Sequence, residues 1–64
     1  MIEFHVRRVK TSIGGADHQL VDICSSINVA RQVATYAIDQ YPDWKVYIID
    51  QHEEEYPIHV ESTT

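Results

Sequence analysis

Residues 26–41, SINVARQVATYAIDQY, closed by Pro42, decide the fold. Ala30, Val33, Ala34, Ala37, Ile38 and Tyr41 recur at i, i+3, i+4, i+7, i+8 and i+11. That spacing lays them along one stripe of an amphipathic helix, with Arg31, Gln32, Thr35, Asp39 and Gln40 on the opposite side. Ser25 or Ser26 is placed to cap the N-terminus by accepting a backbone N–H bond. Pro42 ends the helix, because the residue before a proline avoids the α region. Three alanines in the stripe carry little bulk, so the helix axis is expected to lie close against a sheet.

Working outward, residues 44–50, WKVYIID, read as a strand that is apolar on both faces. Trp44, Val46 and Ile48 form one row, and Tyr47 and Ile49 the other. A strand of this kind is expected to be central. Residues 51–55, QHEEE, read as a charged turn. Residues 56–61, YPIHVE, read as a last strand with Tyr56, Ile58 and Val60 on one face; Pro57 lacks an N–H and marks it as an edge. On the other side of the helix, residues 1–10, MIEFHVRRVK, alternate between Ile2, Phe4, Val6 and Glu3, His5, Arg7. The alternation slips at Arg7-Arg8-Val9, which predicts a strand end or a bulge there. Gly14 and Gly15 mark a turn within 11–18, expected as a long mobile loop. Residues 19–24, QLVDIC, read as a strand with Val21 and Ile23 on one face and Leu20, Asp22 and Cys24 on the other.

The order ββαββ predicts one α+β domain over residues 1–64. Four mainly antiparallel strands in the order 2-1-3-4 carry the helix on one face. The second face is left uncovered, and Glu3, His5, Arg7, Leu20, Asp22, Tyr47, Ile49, His59 and Glu61 are expected to line it.

Composition narrows the class further. With 64 residues, a chain buries only about 60% of the surface its unfolded form exposes. One cysteine excludes an internal disulfide framework. At 44% hydrophobic and 23% charged residues, the chain is near the globular average rather than disordered. No apolar run approaches the ~20 residues of a membrane span, and no signal-peptide pattern opens the chain. The expectation is a small soluble cytoplasmic protein with no membrane association. Ten acids against five bases give a net charge of −5, which opposes binding to phosphate backbones. The charge is uneven. Arg7, Arg8 and Lys10 hold three of the five bases, and residues 50–61 hold five acids and no base.

Residues of catalytic and ligating type form no motif. His5, His18, His52 and His59 stand at no His-x-His or His-x-x-x-His spacing, and Cys24 has no Cys-x-x-Cys partner, so no metal site is expected. Cys24 falls near a helix N-terminus, which can lower a thiol pKa, yet spacing nominates no base for it. Glu53-Glu54-Glu55 pairs carboxylates in a turn, where none is desolvated enough for general acid work. Neither an enzyme nor a cofactor is expected. The expectation is a protein-interaction module, an inhibitor or regulator, that binds a partner protein through Asp50, Glu53, Glu54 and Glu55 and through Tyr47, Ile49 and His59. Self-association as a homodimer is expected to cover the bare sheet face. The alternative is a nucleic-acid-binding domain using Arg7, Arg8 and Lys10. In size, acidity and α+β layout the chain resembles the small accessory proteins with which phages inhibit host enzymes or defence complexes. That resemblance implies no role for any particular residue.

Overall fold

The structure, a computed structural model, describes residues 2–59. Strands β1 (Phe4–Ser12) and β2 (Gly15–Cys24) form a hairpin, helix α1 spans Ile27–Gln40, and strands β3 (Lys45–Asp50) and β4 (Glu55–Tyr56) follow. The sheet order is β2-β1-β3-β4 and every neighbouring pair is antiparallel, as the alternation and the short connections predicted.

The helix lies on one face of the sheet. Ala30, Ala34 and Ala37 are fully or almost fully buried and meet Val6, Val46, Ile48 and Cys24 in one core. Ile27 and Val33 pack against its margin, whereas Ile38 and Tyr41 sit at the exposed rim of the stripe. Ser26 has the extended backbone of a cap, and its carbonyl accepts from Ala30 N–H at 2.9 Å. Its side chain makes no cap bond, so the expected serine hydroxyl cap is not formed. Tyr41, before Pro42, leaves the α region at φ −125° and ψ 70° while its N–H still reaches Ala37 O at 2.8 Å.

Four details of the strands differ from the sequence-based expectation. First, the alternation of β1 does not slip. Arg8 pairs with Val46 and so takes the helix-facing position after Phe4 and Val6. Its guanidinium lies over the Tyr41 ring at 3.9 Å and the Trp44 ring at 4.6 Å, and its Nε donates to Gln19 Oε1 at 3.2 Å. A charged residue can face inward there because two aromatic rings and an amide receive it.

Second, the bulge is on the opposite strand. Val6 pairs with Asp22 and Arg7 with Leu20, which leaves Val21 as the extra residue of β2. Leu20 and Ile23 consequently share the outer face, while Val21 and Cys24 turn to the core. The strict alternation expected for residues 19–24 is broken at that point.

Third, the loop expected over residues 11–18 is a two-residue turn. Ser12 pairs with Gly15, Ile13 and Gly14 bridge them, and pairing continues through Thr11–Ala16 and Lys10–Asp17. Gly15 has φ +134°, a conformation open to glycine and costly for other residues. The pairing residues are polar, so no apolar rhythm marked them as strand. Because β3 pairs with β1 only as far as Val9, the hairpin tip extends past the sheet as an arm with Ile13 fully exposed.

Fourth, β4 is two residues long rather than six. Pro57 has no N–H to continue the ladder, and its carbonyl accepts from Arg31 Nε at 3.0 Å. Ile58 still packs on the core. Val60 and Glu61 lie outside the described residues.

Enlarging a side chain where helix meets sheet should overpack this core. Ala34→Leu is expected to lower stability by about 1–3 kcal/mol. Thr35→Leu, on the exposed side, should leave the urea midpoint near that of the parent. Denaturation of both variants followed by circular dichroism checks the assignment.

Candidate functional site

Residues paired across strands project to the same side of a sheet. His5 pairs with Ile23 and Ile49, Arg7 with Leu20 and Tyr47, and Val9 with His18 and Lys45. Glu55 pairs with Ile49 and brings β4 onto the same face. None of these is packed against the helix-side core. His18 Nδ1 and Tyr47 Oη stand 3.2 Å apart across β1, with their rings edge to face at 6.3 Å. Leu20 and Ile23 are each about half exposed, at 51% and 48%, although both are large aliphatics at strand positions. The bare face is therefore an apolar band of Leu20, Ile23, Val9, Tyr47 and Ile49 around a polar centre of His5 and Arg7.

In that centre His5 Nε2 and Arg7 Nε are shielded from solvent and have no hydrogen-bond partner among the described residues. The nearest carboxylate to His5 is Glu3, with Oε1 3.8 Å from Nε2. Shielded polar atoms without partners carry a free-energy cost in the isolated chain.

Tyr47 and Ile49 thus occupy the open face, as expected, together with His5, Arg7 and Leu20. Ile23, Val9 and His18 belong to the same surface and were missed. The bulge at Val21 hid Ile23, and the polar hairpin arm hid His18. Asp22 pairs with Val6 at the bulge instead of lining the open face. His59 lies beyond the end of β4, exposed and outside any strand, so no sheet pairing holds it on the face.

The acidic turn is built differently from its reading as four solvated acids. Asp50 is buried, with 5% exposure, and it organises the turn. Its Oδ1 accepts from the backbone N–H groups of His52 at 2.8 Å and Glu54 at 3.0 Å, and its Oδ2 accepts from Tyr56 Oη–H at 2.8 Å. Its backbone N–H donates to Glu54 O at 3.0 Å, and its carbonyl accepts from Glu53 N–H at 3.1 Å. An aspartate that hydrogen-bonds its own turn two residues on is the side-chain mimic of a backbone turn. Asp50 is thus a structural acid, and only Glu53, Glu54 and Glu55 project outward. Glu53 adopts φ 65°, in the left-handed region that favours Gly or Asn.

The basic cluster is divided by the strand that carries it. Arg7 points to the open face, while Arg8 and Lys10 lie on the helix side beside Trp44, with Lys10 Nζ 6.0 Å from its ring.

Cys24 is buried and unpaired. Burial, and then the charge of Asp22, push its thiol pKa up, opposite to the direction a reactive cysteine needs. Among the described residues there is no pocket, and no three His, Cys, Asp or Glu side chains converge as ligands would. Among the described residues no helix is long and apolar enough to cross a membrane. No protein-family model, no curated protein and no solved structure matches the chain.

The Asp50 carboxyl is held below the ordinary carboxylate range. The Glu54 N–H does most of this, with help from the Tyr56 hydroxyl, the His52 N–H and the charge of His52, against the opposing effect of burial. A carboxyl with a lowered folded-state pKa stabilises the fold fully above its unfolded value of about 3.9. That contribution is lost as pH falls through the folded value. Asp50→Asn should therefore melt below the parent at pH 7. The gap should narrow steadily once the pH drops under about 4. Melting curves of the two chains between neutral and strongly acidic pH check this; a gap independent of pH would remove the charge from the argument.

Proposed function

We propose that this chain is a small, non-enzymatic protein-recognition module, acting as an inhibitor or regulator. Its open sheet face is the recognition surface and its acidic turn guides a basic partner. The observation that carries the proposal is the exposure of Leu20 and Ile23 on the same face as Tyr47 and Ile49, a face that none of the other described residues covers. Contiguous apolar surface on a small protein marks an interaction site. The exposed end of the sheet, with a long edge strand beside it, also suits a protein partner.

Support for a role of the turn comes from Glu53. Its backbone conformation suits glycine, and a glutamate there gives up stability at a site where, among the described residues, its side chain makes no hydrogen bond or ion pair. Three outward acids in succession also repel one another. An acidic partner-facing patch accounts for both features. Nucleic acid is the weaker alternative, because Arg7 and Arg8 project to opposite sides of β1 and cannot track one phosphate backbone together.

Two variants test the proposal by capture of partner protein from an extract of the source cells. Leu20→Lys should keep the parent's melting curve and lose the captured partner. Replacing Glu53, Glu54 and Glu55 by glutamine should leave the melting temperature unchanged or slightly higher. Surface plasmon resonance should then show a slower on-rate for the same partner and a weaker dependence on salt. Capture that survives Leu20→Lys undamaged would overturn the assignment of the open face. An unaltered on-rate in the triple variant would reduce the turn to a solubility device.

A further inference from the structure

The open face carries its charges in two halves. Glu3 stands just before β1 with its carboxylate 3.8 Å from His5 Nε2, on the open side, and the level of His5, Ile49 and Glu55 follows. Arg7 comes next, and last the level of Val9 and Lys45. The acids Glu3 and Glu55 therefore occupy one half and the bases Arg7 and Lys45 the other, with the level of Val6 between them. The face balances two acids against two bases, although the chain as a whole carries −5.

We propose that the occupant of this face is a second copy of the same chain, stacked sheet on sheet about a twofold axis. The axis lies in the interface and crosses the strands at the level of Val6, so that the two β1 strands run in opposite directions. The proposal rests on the open face being a recognition surface and names its occupant while no foreign partner is bound. In this arrangement Glu3 falls level with Lys45 of the second copy, and Glu55 level with its Arg7. A twofold along the strands would instead bring Glu3 level with Glu3 and Lys45 level with Lys45, and like charges so placed oppose association.

The face runs about 20 Å along β1 and about 15 Å across four strands. The contact is therefore smaller than a standard interface, about 800 Å² per partner, and suits a weak, reversible dimer. Stacked sheets of this kind cross at about −30°, within reach of long charged side chains.

Sedimentation equilibrium of the full chain, from about 1 µM to 1 mM, gives the test. The parent should reach twice its 7.4 kDa mass with a micromolar dissociation constant. Glu3→Lys and Lys45→Glu should each weaken the dimer by roughly tenfold. The double variant Glu3→Lys/Lys45→Glu restores opposite signs in the crossed arrangement and should return to near the parent value. Leu20→Lys should give a monomer. Glu3 and Lys45 are both exposed, so their variants keep the fold even if Leu20→Lys does not. A parent that stays monomeric at every concentration overturns the proposal. So does a dimer whose double variant is as weak as the singles. In either case the recognition proposal stands or falls separately, on whether Leu20→Lys loses the captured partner.

Discussion

Everything in this structure depends on the close seat of α1 on β1 and β3. Ala30, Ala34 and Ala37 present almost no side chain, so the helix backbone approaches the sheet and Val6, Val46 and Ile48 fill the remaining space. The largest fully buried side chains are only Ile48 and Val6. A core this thin contributes little hydrophobic stabilisation, since burial scales with apolar area. It also fixes the architecture: one helix can cover one side of a four-stranded sheet and no more. The principal extents, 39 × 30 × 18 Å, describe that flat two-layer body.

Two polar residues finish what the small core leaves open. At one end of the helix face, Arg8 closes the core under Tyr41 and Trp44, and its apolar stem and flat guanidinium act as a lid between rings. At the other end Asp50 ties the β3–β4 turn to Tyr56, whose own hydroxyl is held protonated to higher pH, chiefly by that bond. Phe4 packs edge to face on the Tyr56 ring at 5.2 Å, so the turn is joined to β1 through an aromatic pair. Asp50 is buried and Arg8 half-buried, and both charged groups find partners there, as polar groups withdrawn from water must.

Helix, strand order and the bare sheet face were legible because each follows from apolar periodicity, and periodicity survives wherever packing is regular. The errors gather where a polar side chain takes an inward position or a residue is added to a ladder. Arg8 broke an apolar rhythm without breaking the strand, since its environment is aromatic rather than aliphatic. Val21 shifted the sense of β2 by one residue, and nothing in QLVDIC alone distinguishes a bulge from strict alternation. Asp50 looked like one of a row of solvated acids; its burial arises from Tyr56 and two backbone N–H groups that only the folded turn brings to it. The recognition surface was half visible for the same reasons. Tyr47 and Ile49 followed from the two-sided apolar strand, whereas Ile23 and His18 depended on the bulge and on a hairpin arm made of polar residues.

The bulge has a consequence for the outer edge of the sheet. Strand β2 is ten residues long and pairs on one side only, so its free backbone groups form a template that another strand could extend. An uninterrupted edge of that length invites end-to-end growth into fibres. The extra residue at Val21 disrupts the even spacing of those groups and coils the strand, and Asp17 and Asp22 add charge along it. The irregularity that redirects Ile23 to the open face therefore also makes the free edge a poorer template for a further strand.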